Sequence, residues 1–141
     1  MLFVHPLTIG HLGRVAVCMD LNFQHVSRNF EGMGDSFTLR GVANVRDECT
    51  GEVVEQANGR SRVISLVRRL HENVEPTNIK VGETMWTPEG FRHEWSCYAR
   101  NWGTGPSFRM NGSSSAVFEG PLISAFDMVC DGAAFRKLMS P

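Results

Sequence analysis

The sequence predicts an all-β domain: one antiparallel barrel of about eight short strands with a short C-terminal helix, a β-sandwich or jelly roll being the alternative. Three observations carry this. Apolar and polar residues alternate with period two in several stretches, including Val15–Phe23, Phe37–Arg46 and Phe91–Arg100. Turn signals separate these stretches at a spacing of roughly 8–12 residues. Only Ala133–Met139 has helix-forming composition, so nothing long enough covers a parallel sheet and the strands are expected to be antiparallel. Closure into a barrel removes exposed edges, and a barrel of about eight strands leaves room for packed side chains or one small ligand.

In chain order, Met1–Ile9 is apolar but holds Pro6, which confines it to an edge strand. Val15, Val17, Met19, Leu21 and Phe23 give the next strand one apolar face. His25–Asp35 reads as a loop. Phe37–Arg46 is a strand whose Gly41 and Ala43 leave little side-chain volume inside. Glu52–Leu70 reads as a hairpin about Asn58-Gly59, since that dipeptide suits a type I′ turn and the register sets Val54 against Val63 and Glu55 against Arg62.

Ile79–Trp102 is the clearest hairpin, turning at Pro88-Glu89-Gly90. A three-residue loop with Gly90 in a left-handed bulge position pairs Thr87 with Phe91, Met85 with His93, Glu83 with Trp95 and Val81 with Cys97. A loop of two or four residues pairs Met85 with Arg92 instead and sets apolar residues opposite polar ones. The three-residue register puts Glu83 and His93 on an apolar face with Ile79, Val81, Met85, Phe91, Trp95 and Cys97. Ser107–Met110 is a short strand and Asn111–Ser115 a turn. Ala116–Glu119 and Pro121–Val129 are two strands, or one kinked at Gly120-Pro121, with Asp127 in the inward set.

The chain of 141 residues is long enough for a single domain with its own core. Its net charge of -1 offers no electrostatic footprint for nucleic acid or an anionic membrane. No apolar run approaches the length of a membrane span, and no signal peptide is read at the N-terminus. Cys18, Cys49, Cys97 and Cys130 show no metal-ligand spacing and fit a reducing, cytoplasmic setting. The five histidines are scattered, so no metal and no cofactor is expected.

Function rests on Glu83 and His93. A carboxylate and an imidazole on an apolar face cost free energy to desolvate unless paired. They form either a general acid/base pair in a pocket or a satisfied structural pair at a rim. The catalytic reading makes Met85, Phe91, Trp95, Phe126 and Asp127 the substrate-binding walls.

Asn111-Gly112-Ser113-Ser114-Ser115-Ala116-Val117-Phe118-Glu119-Gly120 resembles a Gly-Ser…Phe-x-Gly turn and strand of the allene oxide cyclase-like barrels, which include dirigent proteins and small polyketide cyclases. The resemblance implies an eight-stranded barrel that holds an apolar molecule and steers its cyclisation by shape; it assigns no catalytic residue. Pro121 departs from the pattern.

The expected function is therefore binding of an apolar or polyketide-like small molecule inside the barrel, with cyclisation or isomerisation there. The rival is a non-catalytic interaction or assembly module, such as a viral or phage structural subunit or an inhibitor protein. Its motive is an outer face carrying Trp86, Tyr98 and Trp102 beside Arg92 and Arg100, suited to a homo-oligomer contact.

Overall fold

The computed structural model describes residues 35–102 and 105–140. The strands expected at Met1–Ile9 and Val15–Phe23, the loop from His25 and the thiol of Cys18 lie outside these residues.

Seven strands form one sheet: β1 (Phe37–Asp47), β2 (Val53–Asn58), β3 (Val74–Val81), β4 (Met85–Trp86), β5 (Gly90–Asn101), β6 (Phe108–Glu119) and β7 (Leu122–Cys130). Two helices, α1 (Arg60–Asn73) and α2 (Gly132–Met139), complete the described elements. The strand order is β2-β1-β7-β6-β5-β3, with β4 also paired to β5. Among the described residues the sheet does not close into the expected barrel, because β2 and β3 stand at its two ends unpaired with each other. Nor is it wholly antiparallel. β1 runs parallel to β7, with Ala43 beside Phe126 and Val45 beside Met128.

The second correction concerns Asn58-Gly59. It does not turn a hairpin; Gly59, at φ 90°, leads from β2 into α1. Val63, Leu66, Val67 and Leu70 fall at i, i+3, i+4 and i+7, the apolar stripe of a helix. That stripe packs on the sheet: Val63 is fully buried, and Leu66 and Val67 lie against Phe37, Ala43 and Ala57. Glu55 meets Arg69 on this helix at 2.7 Å, not Arg62 across a hairpin.

The central hairpin also differs. Thr87 and Gly90 exchange backbone hydrogen bonds (2.9 and 3.3 Å), so the loop is Pro88-Glu89 and β4 pairs Met85 with Arg92 and Trp86 with Phe91. Farther along, Val81 faces Trp95 and not Cys97. Gly90 is not in the left-handed region. It is small because its backbone lies so close to β6 that a Cβ would stand 1.7 Å from the Ala116 carbonyl oxygen. The register shift leaves the β5 assignment intact, since Phe91, His93, Trp95, Cys97 and Ala99 are all buried on one face. It moves Met85 and Glu83 outward.

Asn111–Ser115 is not a turn but the middle of β6, which is hydrogen-bonded on both sides, to β5 and β7. The turn at Gly120-Pro121 between β6 and β7 is as expected, and so is the C-terminal helix. Asp131 caps α2 by accepting from the Ala134 amide at 3.1 Å. Asp47 ties the same corner together. Its carboxylate accepts from the Gly132, Thr50 and Cys49 amides, which holds it below the usual carboxylate range. Replacing Asp131 by Ala should cost ~1 kcal/mol, the usual value of such a cap. A urea midpoint equal to that of the unsubstituted protein would remove the cap from the account.

Candidate functional site

The buried face of the sheet carries two apolar clusters. One gathers Phe37, Phe91, Phe118 and Ile123 with Val63 of α1. The other gathers Val45, Trp95, Met110, Met128 and Cys130 with Phe135 and Leu138 of α2. Packing between them is incomplete, leaving a cavity of about 140 Å³ between the sheet and the helices. Phe37, Ala43, Trp95, Ala99 and Phe126 wall it from the sheet, Leu66, Val67 and Leu70 from α1, and Leu138 from α2. A cavity near 150 Å³ lined by such side chains can hold a molecule of benzene size. Drug-sized ligands need several hundred Å³, so this one takes a single ring or the end of a longer molecule.

Few polar groups reach the cavity. Ser114 lines it and is itself buried; its Oγ accepts a hydrogen bond from Trp95 Nε1 at 3.1 Å. His71, at the end of α1, also borders it. His93 stands directly across the β5–β6 pair from Ser114 and stacks on Phe91, ring centroids 5.5 Å apart. It is 2% exposed, and its Nδ1 has no hydrogen-bond partner. Burial pushes its pKa below 6.5, so the ring is neutral at physiological pH. Burial pushes the neighbouring thiols the other way: Cys97 is raised, and Cys130 is pushed up to about 12 with further help from Glu48. Both remain protonated and unreactive.

No family model and no curated protein matches the sequence. The fold does have solved relatives. A candidate isomerase from Bacillus subtilis superposes with a TM-score of 0.73 at 8% identity, covering 93% of this chain and 95% of its own. A candidate SnoaL-like polyketide cyclase from Jannaschia sp. CCS1 gives 0.69 at 10% identity, covering 100% and 99%. An NTF2-like protein of unknown function from Burkholderia pseudomallei gives 0.66 at 16% identity, covering 92% and 98%. The chain has the NTF2-like fold. The expected likeness to small polyketide cyclases thus holds at the level of architecture, while the closed barrel implied by the resemblance at Asn111–Gly120 does not.

Within this NTF2-like fold the residues expected at the site divide. Trp95 and Phe126 line the cavity. Phe91 is buried beside His93 but belongs to the adjoining cluster. Glu83 is exposed and does not face His93, because the two-residue loop rotates β4 and its approach by one position relative to β5. Met85 is 52% exposed for the same reason. Asp127 pairs with Asn44, while its neighbour Phe126 pairs with Ala43, so its side chain points to the opposite face of the sheet. There it accepts from Asn44 Nδ2 at 3.0 Å and Arg46 Nε at 3.2 Å, a structural network continued by Gln56.

Missed by sequence reasoning were Ser114 and the whole α1 wall. The helical spacing from Val63 was the available signal for the wall; Ser114 lay within a run of serines that looked like a turn.

The outer aromatic patch is also dispersed. Trp86 packs its ring on Phe91 at 5.7 Å, on the cavity side of β5. Trp102 lies past the far end of β5 and donates to the His71 carbonyl at 3.0 Å. At ~3.3 Å per residue the levels of Phe91 and Trp102 are roughly 35 Å apart, with Tyr98 between them. Among the described residues no group of His, Cys, Asp and Glu could hold a metal ion, and no helix is long and apolar enough to cross a membrane.

Proposed function

We propose that the protein binds an apolar, ring-sized molecule in the cavity and acts on it as an isomerase or cyclase, with His93 moving the proton. The observation that carries this reading is a neutral, buried imidazole with an unpartnered Nδ1, set directly across the β5–β6 pair from Ser114, which lines the otherwise apolar cavity. A buried polar atom without a partner is costly to keep, and such atoms concentrate where a ligand supplies the missing bond.

A neutral imidazole suits a base working near neutral pH. In a double-bond shift, His93 takes the proton from the carbon between a carbonyl and an alkene. The electron pair delocalises onto the carbonyl oxygen, and the imidazolium returns the proton to the far alkene carbon. No other reactant is consumed. Ring closure needs the same base and a substrate folded by the walls, and such confinement can contribute several kcal/mol to the rate, up to roughly 7–11 kcal/mol in the best intramolecular cases.

The test uses 3-cyclohexen-1-one, whose ring matches the cavity, followed by the absorbance of the conjugated product. We expect conversion faster than in buffer, lost on Ala99→Phe, which fills the cavity from the β5 side. Conversion no faster than in buffer, with the ring shown by NMR to occupy the cavity, reduces the protein to a binder. Full retention in Ala99→Phe places the chemistry elsewhere.

A further inference from the structure

Ser114 holds a hydroxyl whose oxygen is engaged and whose hydrogen is not. Trp95 Nε1 donates to Oγ, yet no described residue accepts from the hydroxyl. The side chain is 5% exposed and lines the cavity, so the hydroxyl faces whatever the cavity holds. Accepting from an indole N–H polarises a hydroxyl and strengthens it as a donor. Directly across the strand pair stands His93, whose Nδ1 is also unpartnered, although the two side chains are not bonded to each other. Of the two, Ser114 lines the cavity, so a molecule held there meets its hydroxyl.

The arrangement depends on Gly112. A Cβ there would stand 2.3 Å from the Trp95 ring and 2.6 Å from the Val129 carbonyl oxygen. Because the position has no side chain, the indole lies against β6 and aims its N–H along the strand at Ser114. The Gly-Ser-Ser run thus builds a donor into the cavity wall.

We propose that Ser114, held by Trp95 over Gly112, donates its hydroxyl hydrogen to an oxygen of the bound molecule, so that the ligand is an oxygenated ring, an enolisable ketone or its enol, and not a hydrocarbon. This rests on the cavity being the binding site.

The probes are phenol, an enol of ring size, and toluene, of nearly the same shape, each titrated by calorimetry into the full-length protein. The ratio of their affinities cancels general changes in the cavity. In Ser114→Ala we expect that ratio to shift against phenol by about fivefold, the scale of one neutral hydrogen bond, with toluene affinity nearly kept. Ser114→Cys, which keeps the side-chain shape but donates weakly, should shift it in the same direction and serves if the alanine variant fails to fold. Gly112→Ala should shift it too, by displacing the indole. An unchanged ratio in both Ser114 variants, with toluene still bound, overturns this inference alone. If neither probe binds the unsubstituted protein, the cavity reading falls and this inference with it.

Discussion

Gly90→Ala should abolish the native fold or lower its stability by more than ~4 kcal/mol, the range reserved for changes the structure cannot absorb. The added Cβ would sit 1.7 Å from the Ala116 carbonyl oxygen and 2.7 Å from the carbonyl carbon. Both atoms are backbone, so no rotamer change relieves the contact. Relief needs β5 and β6 to separate where the Gly90 level pairs with Val117 and Phe91 with Ala116. That movement also disturbs the turn, in which Gly90 N donates to Thr87 Oγ1 at 2.9 Å, and the Phe118 amide that donates to the Glu89 carbonyl at 2.7 Å. With a urea slope of roughly 1–3 kcal/mol per molar, the midpoint should drop by about 1.3 M or more. Gly120→Ala is the control. Gly120 has φ 65° and nothing within 4 Å of a Cβ, so only the left-handed backbone penalty of ~1–2 kcal/mol applies. Equal losses in the two variants would show that Gly90 serves conformation and not close approach.

That distinction explains much of what could and could not be read from the sequence. β5 was legible because its alternation is strict and one face is buried; Phe91, His93, Trp95, Cys97 and Ala99 fall on the expected face. In β1 the expected face is broken by the exposed Leu39, and in β7 the expected inward set holds at Ile123 but gives way to Phe126, Met128 and Cys130. Glycine was where the reading failed, since it permits both unusual φ and close approach and the letter does not say which. At Gly90 a left-handed bulge was expected and a close contact was found, with a register that leaves Glu83 and Met85 exposed. At Gly59 the φ is indeed positive, but it leads into α1 and not around a hairpin. At Gly112 a turn was expected where the strand runs straight under Trp95. The parallel β1–β7 pair joins segments some eighty residues apart, and local periodicity holds no information about which distant strand becomes a neighbour. Hence an inward face was legible where the alternation is strict, as in β5, while the partners that turn such a face into a cavity were not.

His93→Leu should separate function from stability. Leucine is close to histidine in volume and removes the unpartnered Nδ1. The proposed proton transfer should slow by about 10²–10⁴-fold, the usual contribution of a positioned general base. Stability should not fall in step. Removing a buried polar atom that lacks a partner gains on the order of 1 kcal/mol, while losing the stack on Phe91 costs a similar amount, so the net change at pH 8 is small. The two proteins should part as the pH drops. Burial lowers the pKa of His93 below 6.5, so between 6.5 and that lowered value the unfolded chain binds a proton that the folded protein does not. Stability therefore rises with pH through this window and is lost as the solution is acidified below 6.5, at up to ~1.4 kcal/mol per pH unit from this group. In His93→Leu that contribution is absent, and the difference between the two urea midpoints should widen from pH 7 downward in favour of the variant. The carboxylates titrate in both proteins and cancel in the difference. A parallel pH dependence of the two midpoints would mean that His93 is solvated or paired in solution, and its role as a neutral base would fall with the buried environment that supports it.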